Sequence, residues 1–127
     1  MSLQAARNRY IRDAVSTVSP ARLLTMLYDA LVSDLELAEK AITERDLQAA
    51  HDRLVRAQEI VLELQSSLDL NAWDGAAGLM SLYQYMHREL VTANVRKDVK
   101  AVVAVRKTAE PLRDAWHQAA AATAGVA

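Results

Sequence analysis

Along most of the chain, apolar residues recur in alternating steps of three and four, the spacing that lines one face of an α-helix. The richest stretch is 19–42, SPARLLTMLYDALVSDLELAEKAI. Leu24, Tyr28, Leu31, Leu35, Ala38 and Ile42 form one stripe, and Leu23, Met26, Leu27, Ala30, Leu37 and Ala41 run beside it. An apolar arc this wide predicts a helix that touches two or three others. Ser19 and Pro20 are a good start for it. The hydroxyl can accept from a free N–H of the first turn, and proline there gives up an N–H that has no partner anyway.

Three more segments carry a helical period. Leu47, Ala50, Leu54, Ala57, Val61, Leu64 and Leu68 make a heptad seam, flanked by Ile60 on one side and by Val55 and Leu62 on the other. The next seam is Ala76, Leu79, Tyr83, Met86, Leu90 and Ala93, widened by Leu82 and Tyr85 on one side and by Met80, Val91 and Val95 on the other. Val102, Val105, Ala109, Leu112, Trp116 and Ala119 make the last. Val99–Val105 is rich in β-branched residues, but the helical period continues beyond it and decides for helix. Pro111 inside this helix predicts a kink. Turn chemistry at Arg45-Asp46, at 69–75 (DLNAWDG) and at Lys97-Asp98 separates the segments.

The pattern predicts helices at about 20–44, 46–68, 76–96 and 99–122. Short connections make successive helices antiparallel neighbours. The expected fold is all-α: an antiparallel up-down-up-down four-helix bundle over 18–122, with a flexible N-terminal arm at 1–17 and a short tail at 123–127. The arm is polar and basic, with Tyr10 and Ile11 as its apolar points, which fits either a disordered tail or a lid over a groove.

Composition narrows the function. The 127 residues suffice for one domain, 52% are hydrophobic and the formal net charge is -1. A near-neutral balance gives no footprint for nucleic acid and no polybasic run for anionic lipid. There are no cysteines, no secretory leader pattern and no membrane-length apolar run, so the expected location is the cytoplasm. His51, His87 and His117 stand apart and form no metal-ligand pair, and the glutamates fall mostly opposite the seams. No Gly-rich phosphate loop and no activated nucleophile is present, so neither an enzyme nor a cofactor is expected. What remains is apolar surface beside the seams, which a partner's amphipathic helices can use as a groove.

The residues also resemble a known family. Tyr10 precedes the first helix, which carries Thr17-x-Ser19-Pro20 and Leu23-Leu24-x-Met26-Leu27-Tyr28-Asp29. Ala57-Gln58-x-Ile60 and Leu64-x-Ser66-Ser67-Leu68-Asp69 follow, then Leu79-x-x-Leu82-Tyr83-x-Tyr85-Met86 and Leu112-Arg113-Asp114-Ala115-Trp116. In this order and spacing they resemble the FliS family, export chaperones of flagellin. The resemblance implies a bundle that binds the disordered C-terminal segment of flagellin, blocks premature polymerisation and delivers the subunit to the export gate, whose FlhA component is the second expected partner. It further implies a monomer that binds flagellin one to one. Tyr10 is the expected lid anchor, and Ile60, Leu64, Leu68, Leu82, Tyr83 and Met86 are the expected groove residues. On this reading Ile60→Asp weakens flagellin binding and leaves helicity intact. The alternative is a structural or regulatory bundle that homodimerises through the same stripe.

Overall fold

The structure is a computed structural model and describes residues 2–6 and 19–124. Four helices follow a separate helical turn at 3–6: α1 (Pro20–Thr43), α2 (Leu47–Ser67), α3 (Ala76–Arg96) and α4 (Val99–Ala124). Among the described residues there is no strand. Tyr10 and most of the arm lie outside the described residues.

Local chemistry sets the helix ends. Ser19 caps α1 by accepting from the Arg22 N–H at 3.2 Å, and Pro20 occupies its first turn. Asp46 caps α2 by accepting from the Ala49 N–H at 3.2 Å. Between them the chain reverses in three residues. Arg45 adopts φ 60, its N–H reaches the Ile42 carbonyl at 3.0 Å, and the Asp46 N–H reaches the Ala41 carbonyl at 2.8 Å. This left-handed closing residue absorbs the orphan carbonyls of α1. Lys97, at φ 51, closes α3 in the same manner, with the Asp98 N–H on the Ala93 carbonyl.

α1 therefore ends at Thr43 and α2 at Ser67, each one residue short of the sequence expectation, while α4 runs two residues further, to Ala124. α4 passes through Pro111 without a break, and Pro111 lies exposed to solvent.

Each helix packs on its neighbours in sequence, and α4 closes the ring against α1. The α3–α4 seam is the thinnest of the four. Tyr28, Leu31, Leu35, Leu54, Val61, Met86, Leu90 and Val102 fill the centre, fully buried. Inside the ring a side-chain bond spans the diagonal from α1 to α3, with the Tyr28 and Tyr83 hydroxyls 2.7 Å apart.

Candidate functional site: the outer face of α2 and α3

The seam between α2 and α3 is marked by one polar contact. The Asn94 amide meets His51 Nδ1, with Nδ2 at 3.1 Å and Oδ1 at 3.3 Å, while the Lys97 ammonium donates to Asn94 Oδ1 at 2.6 Å. Helical spacing then maps the face. Val55 and Leu62 lie one and three turns along α2 from His51, and Val91 and Met80 lie one and four turns back along α3 from Asn94. Leu62 is 48% exposed, Val91 40% and Val95 79%, while Val55 and Met80 are half-buried. Two neighbouring helices thus show solvent a shared apolar strip.

The structure divides the sequence-predicted groove. Ile60, Leu64, Tyr83 and Met86 are no more than 2% exposed and belong to the core, so they present no surface. Ile60 lies on the α2 flank that carries Arg53, whose guanidinium bonds to Asp34 of α1 at 3.2 Å, so α1 covers that flank. Leu68 and Leu82 are half-buried and pack against the core from its edge. Leu62, Val91 and Val95 sit on the opposite flank, where no helix lies. Sequence reasoning recognised them as seam neighbours and did not single them out. Ile60 and Leu62 border the α2 seam at similar angles on its two sides, and only the order of the helices in the ring separates them.

A second apolar feature is the α2–α3 loop. Trp73 and Leu70 are both more than half exposed. The Trp73 ring lies directly over Gly75, so a side chain at that position would displace the ring.

Away from this face several charged groups pair between helices. Arg106 of α4 bonds to Glu39 of α1 at 2.9 Å and to Glu110 at 2.8 Å. The hydrogen bonds it donates to Glu110 and then to Glu39 hold its guanidinium above the ordinary range. His117 of α4 meets Asp29 of α1 at 2.7 Å. Inside the bundle, burial pushes both the Tyr28 and Tyr83 phenols above their ordinary value. The Tyr83 hydroxyl, hydrogen-bonded to Tyr28, and the polar edge of the nearby Trp116 indole partly offset the effect on Tyr28. The Trp116 Nε1–H is itself buried without good bonding geometry, its ring centroid 6.4 Å from that of Tyr28. Among the described residues no acidic, histidine or cysteine cluster could hold a metal, and no helix is long and apolar enough to cross a membrane. The arrangement is suited to binding a protein surface.

Comparison with known proteins agrees with a binding role. A family model described as flagellar protein FliS matches residues 2–123. The flagellar secretion chaperone FliS of Bacillus subtilis (strain 168) is 34% identical over 119 residues, which cover 94% of this chain and 89% of that protein. The flagellar secretion chaperone FliS of Escherichia coli (strain K12) is 34% identical over 110 residues, 85% of this chain and 81% of its own. A solved structure, "Crystal structure of flagellar chaperone from bacteria", superposes with a TM-score of 0.73 at 22% identity, covering 91% of this chain and 95% of that one.

Proposed function

Because the chain belongs to the FliS family of flagellar secretion chaperones, we propose that it binds the C-terminal segment of flagellin one to one, in the cytoplasm. Binding there keeps the segment from polymerising and holds it ready for the export gate component FlhA. The observation that carries this reading is the apolar strip on the outer side of α2 and α3.

A disordered client must order itself on binding, and that costs free energy. The host therefore has to offer apolar area that its own folding does not consume. Burying apolar surface contributes about 25 cal/mol per Å², so a strip two helices wide is a useful contribution. An amphipathic helix lying along the strip covers Leu62, Met80 and Val91. Leu68 and Leu82 extend the contact at the edge of the bundle. Ile60, Leu64, Tyr83 and Met86 support it from beneath as a rigid floor, which limits the ordering cost on the host side.

The test is co-purification with full-length flagellin and with flagellin lacking its C-terminal segment, followed by light scattering. The expected result is a one-to-one complex with the full-length protein and none with the truncated one. Equal capture of both would sink the reading.

A further inference from the structure

The band between α2 and α3 has a polar pattern of its own. His51 stands level with Asn94, and the short connection makes the two helices antiparallel. Alternate steps of four and three along α2, matched by three and four back along α3, follow the seam in register. They bring Val55 level with Val91 and Gln58 level with His87. Further on, Leu62 meets the level of Gln84, and Gln65 that of Met80. All eight side chains are half-buried or exposed, so a segment laid along the band reaches every rung.

No lysine, arginine, aspartate or glutamate occurs on these four rungs, in a chain that is 24% charged. The other seams of α1 differ: Asp34 and Arg53 pair across α1 and α2, and Glu39 and Arg106 across α1 and α4. Glu59 and Arg88 follow Gln58 and His87 in sequence but lie about 100° further round their helices. The rungs also hold unspent hydrogen bonding. Among the described residues, the side chains of Gln58, Gln65, Gln84 and His87 bond to no other protein group. Gln48, nearer the start of α2, is already spent on Asp52 at 3.0 Å. An amide offers two donors and an acceptor. When a segment covers the band and water leaves, each of these groups needs a partner from the segment or loses free energy.

We propose that the band selects its client by the absence of charge. The contact face of the bound segment alternates apolar side chains with the amides or hydroxyls of Asn, Gln, Ser or Thr, and carries no Lys, Arg, Asp or Glu. This rests on the flagellin reading of the preceding section and names the chemistry of the segment taken. Apolar residues lie over Val55, Val91, Leu62 and Met80, and a hydrogen-bonding residue lies over Gln58 and His87 between them. A charged residue at that middle rung would leave water with no counter-charge on the rungs, which costs more than a missing neutral bond. A segment of equal apolar content with an acid or base on its contact face is therefore rejected.

Titration with the flagellin C-terminal segment, read by calorimetry and by side-chain amide signals in NMR, tests this. Gln58→Glu and Gln84→Lys introduce opposite charges on the band. Each should raise the Kd at least about tenfold with unchanged circular dichroism. Glu63→Gln alters the charge of α2 outside the band and should leave the Kd within about twofold. The side-chain amides of Gln58 and Gln84 should shift on binding, and that of Gln118 on α4 should not. A charged variant that binds as tightly as wild type overturns the proposal. One that binds more tightly reveals an opposite charge on the client and overturns it too. So does a Glu63→Gln variant that loses as much as Gln58→Glu, or a Gln58 amide that stays in place. A wild-type chain with no affinity for the segment removes the flagellin reading itself. A wild-type chain that binds, beside a Gln58→Glu variant that binds equally, removes this inference alone.

Discussion

Along the α1–α4 seam, Arg106 holds Glu39 and Glu110, and His117 holds Asp29. Along the α2–α3 seam a His51–Asn94 contact sits at one end, and Leu62, Met80 and Val91 continue it. A protein partner laid over the first seam would have to strip water from charges that already have partners, which returns little. Laid over the second, it removes apolar surface from water, which is favourable in proportion to area. Both seams bury a comparable inner stripe. The difference lies in the residues beside the stripe, and those decide which side of the bundle is available to a partner.

The strongest way to break this comparison uses two residues of α2 that are neighbours in sequence and opposite in surroundings. Ile60→Asp places a carboxylate against α1 in a site 2% exposed. Lost packing and an unpaired buried charge together cost about 4 kcal/mol or more, a large share of the roughly 5–15 kcal/mol available to a domain. Urea denaturation followed by circular dichroism should show a chain that is unfolded or close to it. This reverses the outcome expected from sequence, where helicity survives. Leu62→Asp, at 48% exposure, should shift stability by less than about 1 kcal/mol yet abolish capture of flagellin. A stable Ile60→Asp variant, or a Leu62→Asp variant that still binds, would remove the distinction between the two flanks.

The next effect lies where the ring is bridged from inside. The Tyr28 and Tyr83 hydroxyls satisfy each other at 2.7 Å in a buried site. Tyr83→Phe leaves the Tyr28 hydroxyl without that bond, at a cost of about 1–3 kcal/mol. Phenylalanine at both positions removes both polar groups and should cost less than the two single changes added together. The pair also predicts a response to pH. Both phenols are raised above the ordinary 10.0, so above that pH the unfolded chain releases protons that the folded chain keeps. Stability is then fully present below pH 10 and falls as pH rises further. Denaturation midpoints measured from pH 8 to 11 should decline only at the upper end, and less so in the double variant.

How much of this was legible beforehand depends on which neighbour a residue meets. Helix number and order followed from local signals: the apolar period, Ser19-Pro20, Asp46 and the loop around Trp73. These act within a few residues, so one chain suffices to read them. The seams were legible for the same reason. The flanks were not, because Ile60 and Leu62 both border the α2 seam and only the ring order decides which of them α1 covers. Tyr83 and Met86 illustrate another limit. An amphipathic tyrosine and an adaptable methionine suit a binding surface, but they suit a core equally well when Tyr28 supplies a hydroxyl partner. Pro111 predicts a bend because it removes a backbone hydrogen bond and crowds the Lys107 carbonyl; α4 runs continuously through it, with Pro111 exposed on the outside of the helix.

The smallest effects belong to the charged seam and sharpen the comparison from its other side. Arg106→Ala removes a guanidinium that is 21% exposed and serves two carboxylates, each 31% exposed. Partial shielding places the loss near 1 kcal/mol, with flagellin capture unchanged. Asp29→Asn weakens the His117 contact, whose two side chains are 48% and 50% exposed. That change should cost no more than about 0.5 kcal/mol at low ionic strength and less in 1 M salt, where the Debye length falls to about 3 Å. A double-mutant cycle of Asp29→Asn with His117→Gln, run at both salt concentrations, isolates the pair. A coupling that grows in high salt would rule out an electrostatic pair, and an Asp29→Asn variant that loses flagellin would mean that the α1–α4 side takes part in binding.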